Sequence, residues 1–150
     1  MSARSKARKR ALDMLYVAEV RDLPIADVLA TETVRHLDNP ERASSWDYAR
    51  QIVTGVDEAR HEIDSVIIDH AQGWSIARMP VLDRCILRMG VWELRFNDEV
   101  PDAVAIAEAV ELAQSLSTDD SAGFVNGVLG AVAGGRAPSG RTVAGDQESR

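Results

Sequence analysis

Five cationic side chains lie within the first ten residues, and no acidic residue interrupts them. This basic segment consists of Arg4, Lys6, Arg8, Lys9 and Arg10. Guanidinium and ammonium groups at such density bind phosphate oxygens, so the segment is a candidate contact for a nucleic-acid backbone. The chain carries a formal net charge of -7, so its other residues repel polyanions while this end attracts them. Taken alone, the segment is equally typical of a solvated N-terminus.

A second group of chemically active side chains lies in the string HEIDSVIIDH. Its members are His61, Glu62, Asp64, Asp69 and His70. On a helix the two histidines would lie on opposite sides, so the spacing does not favour a shared metal ion. Nucleotide-binding loops, serine-hydrolase elbows and zinc-protease motifs do not occur in the sequence. We therefore expect no enzyme activity, no metal site and no cofactor.

The expected location of the protein is the cytoplasm. No apolar segment follows the basic residues as it would in a secretory signal, and Asp13 and Glu19 argue against a mitochondrial presequence. No membrane span is expected. Cys85 is the single cysteine, which excludes an intramolecular disulfide and a paired-cysteine metal or redox motif. We expect its thiol to lie in the core.

Apolar residues recur at spacings of three and four along almost the whole chain, and no stretch alternates strictly between apolar and polar residues. The pattern predicts an all-α domain over residues 1–134, including the basic segment, followed by a disordered tail at 135–150. The expected helix starts lie at or near Pro24, Ser45, Pro80, Pro101 and Thr118 or Asp119.

Three expectations concern individual helices. Leu12, Leu15 and Tyr16 fall on one face of the first helix, which would leave the basic segment, Arg8 and Arg10 included, as exposed first turns. The helix from Ser45 is expected to continue without a break to Gly73. In the helix after Pro80, Cys85 and Met89 should point inward, while Asp83 and Arg88 lie on or near the outer face.

Three strings in the second half carry a more specific pattern: DRCILRMGVWELRF, VPDAVAIAEAVELA and DDSAGFVNGVLGAV. In this order and spacing they resemble the NusB family of transcription antitermination factors. The matching positions are Ile86, Leu87, Arg88, Glu93 and Leu94; Val100, Pro101, Ala105, Ile106, Glu108 and Ala109; and Asp120, Ser121, Phe124, Val125, Asn126, Gly127, Val128 and Leu129. Trp92 stands where the family usually has Tyr, and Ala107 replaces a usual Asn.

The resemblance implies a fold and a function. The fold would be all-α, with about seven helices in two small packed bundles. The function would be binding of the single-stranded boxA element in nascent ribosomal RNA transcripts. The protein would act with NusE, a small-subunit ribosomal protein, in a complex with NusA, NusG and RNA polymerase. The basic segment would then neutralise phosphates.

The resemblance also implies roles for residues outside the basic segment. Phe124 would lie at the RNA surface, and Asp120 would accept hydrogen bonds from base amino groups. From pattern alone, Phe124 is more typical of a core anchor and Asp120 of a helix cap. Asn126 is a candidate polar contact beside Gly127, which would allow close helix packing, and Tyr16 is a further candidate aromatic contact. Asp83 and Arg88 would neighbour the NusE surface.

Two other functions remain open at this stage. One is a helical scaffold that binds only proteins, with the basic segment incidental or covered in a homodimer formed through the first helix. The other is a NusB-like RNA-binding domain that serves an RNA-modifying enzyme. The first predicts no RNA affinity at moderate salt. The second is disfavoured because no catalytic domain accompanies the helical domain in this sequence.

Overall fold

A computed structural model describes residues 2–37 and 43–135 of the chain. These ranges form seven α-helices and no strand: α1 (Ala3–Arg21), α2 (Ile25–Leu37), α3 (Ala43–Glu58), α4 (Arg60–His70), α5 (Val81–Phe96), α6 (Asp102–Leu116) and α7 (Ser121–Gly135). A short 3-10 turn, Ile76–Arg78, precedes α5. The prediction of an all-α chain with about seven helices is confirmed. The expected disordered tail lies outside the described residues, except for Gly135, which ends α7.

The helices form two bundles that share one central helix. The first three helices pack together, α4 to α7 form the second group, and α5 contacts both α1 and α3 as well as its own bundle. Helix α1 runs antiparallel to α5, since Arg8 near the start of α1 contacts Glu93 and Glu19 near its end contacts Arg84. This arrangement confirms the expected pair of packed bundles.

The proline positions determine where several helices begin. Helices α2, α5 and α6 start directly after Pro24, Pro80 and Pro101, as predicted. Because proline has no backbone N–H, it fits a helix entrance, and the carbonyls of Pro80 and Pro101 accept hydrogen bonds from the first helical turns. Helix α7 begins at Ser121, slightly later than the predicted caps at Thr118 or Asp119.

The prediction of one unbroken helix from Ser45 to Gly73 is wrong. Helix α3 begins at Ala43, which places Ser45 inside it, and the helix is interrupted at Ala59, where φ is -103° and ψ is 20°. The apolar residues continue across the interruption, as the buried Val56 and Ile63 show. Sequence periodicity does not reveal the interruption because α3 packs in one bundle and α4 in the other, and both need a buried stripe.

Two glycines differ in what surrounds them. A Cβ added at Gly55 on α3 would come within 2.1 Å of the Trp92 Nε1 atom, so the indole packs directly on the α3 backbone. A Cβ added at Gly127 on α7 would meet nothing within 4 Å. The expectation that Gly127 permits close helix packing is therefore wrong, because this side of α7 faces open space.

This contrast predicts opposite effects of the same substitution. We expect Gly55→Ala to lower the free energy of unfolding by about 1–3 kcal/mol, since the buried Trp92 ring must shift. Gly127→Ala should raise it by up to about 1 kcal/mol, because alanine is the better helix former and has room. Urea unfolding of both variants tests the packing. Equal stabilisation of the two variants would contradict the contact between Gly55 and Trp92.

Candidate RNA-binding surface

The basic segment forms the first two turns of α1. The Ser2 side chain caps the helix by accepting a hydrogen bond from the Ser5 backbone N–H at 3.0 Å, and the first turn contains no acidic residue. Arg4 and Lys6 are exposed, and among the described residues Lys6 makes no ion pair. The positive end of the helix dipole adds to these charges, so this end of α1 attracts anions.

The prediction that Arg8 is exposed is wrong. Its side chain is buried, and Nε donates to both carboxylate oxygens of Glu93 at 3.0 Å. Its Nη1 donates to Glu108 on α6 at 3.2 Å, and the Tyr48 hydroxyl on α3 donates to Glu93. Arg8 lies four residues before the buried Leu12, so helical spacing places it on the face that packs inward. That spacing was the sequence signal for its burial.

These contacts set the protonation states of the buried group. Burial disfavours the charged form of Arg8, but the hydrogen bond and charge of Glu93 outweigh that effect and raise the pKa of its guanidinium. Burial, together with the hydrogen bond to Glu93, raises the pKa of Tyr48 well above its ordinary value. Arg8 therefore stays cationic and Tyr48 stays a neutral donor at physiological pH.

Arg4, Lys9 and Arg10 lie beside aromatic, hydroxyl or acidic neighbours. The Arg4 guanidinium lies 4.0 Å from the centre of the Tyr48 ring and 3.4 Å from the exposed Glu99 carboxylate. Arg10 donates to the Ser45 hydroxyl at 3.0 Å and lies 5.6 Å from the Trp46 ring centre. Lys9 contacts Asp13 on the same helix at 3.4 Å. Exposed ion pairs of this kind are weak, so a phosphate can displace them.

A second candidate surface lies where α7 begins. Phe124 is partly buried, and its ring centre is 5.8 Å from that of Trp74, with a tilt of 59° between the rings. Together with Met79, Pro80 and Asp120 they line a cleft of about 330 Å³, which we call the aromatic cleft. Phe124 therefore packs against the core and also lines the cleft.

Trp74 was missed in the sequence analysis. It lies in the loop after α4 and outside every apolar stripe, and it is 50% exposed. A tryptophan that belongs to no helical face was the available signal, because such a residue rarely contributes to a core.

The other predicted contacts occupy different places on the surface. Asp120 is exposed just before α7, at the edge of the aromatic cleft, and Asn126 is exposed on α7 itself. Tyr16 lies on the same side of α1 as the buried Leu12 and Leu15 but is 38% exposed. Met14 takes the buried position on that turn of α1, which moves Tyr16 to the edge of the packed face.

The structure also corrects the expected positions of Asp83 and Arg88, which are buried instead of lying on the outer face of α5. Asp83 accepts hydrogen bonds from Ser117 at 2.5 Å and from Ser121 at 2.9 Å. Arg88 donates to both oxygens of Asp64 at 2.8 and 3.2 Å. Polar side chains of neighbouring helices satisfy both groups, which makes their burial possible.

The two candidate surfaces lie at opposite ends of α5. Glu93, which holds Arg8, and Asp83, which holds the start of α7, are ten residues apart on that helix. At a rise of 1.5 Å per residue the two points are about 15 Å apart along its axis. The structure therefore brings the basic segment and the aromatic cleft onto one scaffold without bringing them into contact.

A second ionic cluster lies beside the cleft end of α5. Glu19 on α1 accepts a hydrogen bond from Arg84 at 2.6 Å and lies 3.5 Å from Arg60 and from Arg88. Burial disfavours the charged form of Glu19, but the Arg84 hydrogen bond and the neighbouring guanidinium charges outweigh it and lower its pKa. Burial raises the pKa of the nearby Cys85 thiol to about 11, which keeps it protonated in the core.

Comparison with known proteins identifies the family of this fold and surface. The family model for NusB matches residues 5–134. The chain belongs to the NusB family. The transcription antitermination protein NusB of Leifsonia xyli subsp. xyli is 62% identical over 133 residues, which cover 89% of this chain and 92% of that protein. The chain is thus a transcription antitermination factor of the NusB family, and the resemblance found in the sequence is confirmed.

Solved structures agree with this assignment. A crystal structure of antitermination factors NusB and NusE in complex with dsRNA contains a chain that is 29% identical with a TM-score of 0.77, and the match covers 90% of this chain and 98% of that one. NusB from T. maritima is 28% identical with a TM-score of 0.76, and the match covers 89% and 92% of the two chains.

Further features of this NusB chain bear on its chemistry. Ala107, where the family usually has Asn, lies on an exposed side of α6, so the substitution removes no buried hydrogen bond.

Within the described residues no group of three or more His, Cys, Asp or Glu side chains is arranged to hold a metal ion. None of the helices described is both long and apolar enough to cross a membrane.

Because Arg8 is buried and Arg4 is exposed, we expect Arg8→Ala to destabilise the protein much more than Arg4→Ala. Arg8→Ala leaves Glu93 buried without its cation, so we expect a loss of about 3–5 kcal/mol in unfolding free energy. Arg4→Ala removes an exposed ion pair and one cation–π contact with Tyr48, and should change it by about 1 kcal/mol or less. Urea unfolding at neutral pH compares the two variants. Matching midpoints would contradict a buried ionic contact at Arg8.

The lowered pKa of Glu19 predicts a pH-dependent contribution to stability. Its ordinary value is 4.5, so the contribution is complete above that pH and is lost as the pH falls through the lower pKa of the folded state. Glu19→Gln should therefore be less stable than the parent at pH 7, and the difference should shrink in acid. The free energies of unfolding of the parent and of Glu19→Gln, measured from pH 7 into the acidic range, test this. Glu62→Gln, at an exposed position, is the control. A difference independent of pH would contradict it.

Proposed function

We propose that this NusB protein binds single-stranded boxA RNA in nascent ribosomal RNA transcripts and acts there with NusE. The observation that carries the proposal is the exposed cationic start of α1, where Arg4 and Lys6 project from a capped helix that the buried Arg8 holds in place. Fixed cations bind phosphate without first losing the freedom of a flexible arm. A related NusB structure contains NusE and RNA, which supports the same class of partners.

The contacts divide into those that supply affinity and those that select sequence. Arg4, Lys6, Lys9 and Arg10 would neutralise phosphates, a contribution that does not depend on sequence. Selection requires groups that meet unstacked bases, and Phe124 in the aromatic cleft offers a ring face for stacking. The exposed Asp120 carboxylate can accept hydrogen bonds from base amino groups and repels phosphate, so it favours bases over backbone at this end.

Asn126 and Tyr16 have smaller parts in this proposal. Asn126 is exposed on α7 two residues after Phe124, so its amide points to a different side of the helix and would bond RNA outside the cleft. Tyr16 is exposed on α1 beyond the basic segment and offers a further contact for such a strand.

The protein partners are part of the same proposal. NusE would bind near the cleft end of α5, and the complex would include NusA, NusG and RNA polymerase. Asp83 and Arg88 are buried, so they would act on NusE by holding α4, α6 and α7 in position instead of touching it. RNA bound at the basic segment and protein bound beside α5 would then share one rigid scaffold.

The test is binding of a short boxA RNA and a scrambled control across a salt series, with and without NusE. We expect preference for boxA, tighter binding with NusE, and a log-log salt slope no steeper than about -3, since Arg8 is buried and four cations remain. Lys6→Ala should reduce the slope by about 0.7. Arg50→Ala, which removes an exposed cation from α3, is the matched control and should leave the slope unchanged.

Absence of binding to either RNA at low salt, with and without NusE, would refute the proposal. It would favour the protein-binding scaffold. Equal binding of boxA and scrambled RNA would refute the sequence selection while retaining the contact with phosphate.

A further inference from the structure

The exposed cations Arg4 and Lys6 differ in their surroundings, although both lie in the first turn of α1. Among the described residues Lys6 contacts no carboxylate. The Arg4 guanidinium lies 4.0 Å from the centre of the Tyr48 ring, and its Nη2 atom lies 3.4 Å from the Oε1 atom of Glu99. Arg4 is therefore held between an aromatic ring and an acid, whereas Lys6 can meet a phosphate directly.

The Glu99 carboxylate reaches Arg4 from the turn between α5 and α6. The Glu99 backbone N–H donates to the Asn97 side-chain oxygen at 3.1 Å, and the Asn97 amide donates to the Tyr48 hydroxyl at 3.0 Å. On the other side of the turn the Val100 side chain is buried. The turn is thus anchored on the same tyrosine that contacts Arg4, so the fold itself brings this carboxylate to the basic segment.

The ion pair between Arg4 and Glu99 is exposed and contributes little to stability. The two side chains are 45% and 79% exposed, and one nitrogen meets one oxygen at 3.4 Å, which is long for a charge-assisted hydrogen bond. Water and salt screen such a pair. Its main effect is therefore on the charge that this surface offers to a ligand.

The positive charge at the start of α1 depends strongly on Arg4. The buried Arg8 guanidinium faces two carboxylates, one on α5 and one on α6, so the group beneath the surface adds no net positive charge. Arg4 and Lys6 supply the exposed positive charge of the first turn, and the Glu99 carboxylate offsets one of these two charges. A phosphate that approaches Arg4 also approaches Glu99, which repels it.

We propose that Glu99 is an intramolecular competitor of RNA, which holds the Arg4 guanidinium against Tyr48 and must be displaced before Arg4 can bind a phosphate. This role rests on the proposed function and adds to it a residue that limits the affinity of the same surface. Phosphate contacts do not depend on sequence, so the limit applies to every RNA alike. Glu99 thereby restrains nonspecific binding at a helix end that would otherwise attract any polyanion.

The experiment measures binding of the boxA RNA and of the scrambled control by the full chain and by two variants of the turn, Glu99→Gln and Asp98→Asn. Physiological salt is used because it screens charges more than about 8 Å apart. We expect Glu99→Gln to bind both RNAs about threefold more tightly, a gain typical of releasing one exposed ion pair. Asp98 is exposed and pairs with no cation in the described part of the chain, so Asp98→Asn, the matched control, should bind nearly like the parent.

A double variant separates competition for Arg4 from general repulsion of RNA. In the Arg4→Ala background, Glu99→Gln should leave the RNA affinity unchanged, because no guanidinium remains for Glu99 to hold. An equal gain in both backgrounds would overturn the proposal, since Glu99 would then repel RNA without competing for Arg4.

The outcomes distinguish the role of Glu99 from the proposed function. If neither the parent nor Glu99→Gln binds RNA, the proposed function fails and the competitor role fails with it. If the parent binds boxA and Glu99→Gln binds it no more tightly, the role of Glu99 alone is refuted. If Glu99→Gln weakens binding of boxA alone, the carboxylate accepts hydrogen bonds from bases, which also overturns the proposal.

Discussion

The contact between Arg8 and Glu93 joins the parts of this molecule. Arg8 on α1, Tyr48 on α3 and Glu93 on α5 form one hydrogen-bonded group, which Glu108 on α6 extends into the second bundle. Each polar atom in this group would be costly to bury alone, and the arrangement that satisfies all of them requires four helices in place. The group therefore couples the packing of the two bundles to the position of the first helix.

This coupling explains how an acidic protein can hold a cationic surface. Arg8 is itself withdrawn from solvent, but its fixed position determines where Arg4, one turn before it, and Lys6, two residues before it, project. The nearby carboxylates of Glu99 and Asp13 partly neutralise Arg4 and Lys9 but leave both cations accessible to solvent. The surface at the start of α1 thus depends on an interaction that is itself buried.

The opposite end of α5 is organised by similar means. Asp83 binds Ser117 and Ser121 and so defines the turn between α6 and α7, which positions Phe124 beside Trp74. Arg88 and Glu19 connect the same end to α4 and α1. Residues that the sequence suggested as surface contacts are therefore the supports of a surface formed by their neighbours.

The sequence by itself determined the all-α class, the helix starts at Pro24, Pro80 and Pro101, and the family, because these depend on local backbone chemistry and on motifs read in order. It could not show which groups satisfy Arg8, Asp83 and Arg88 in the interior, since polar residues become stable inside only when partners from distant helices satisfy them. The interruption at Ala59 and the pairing of Trp74 with Phe124 were likewise decided by tertiary structure, because each depends on how separate helices pack and leaves no periodic trace in the chain.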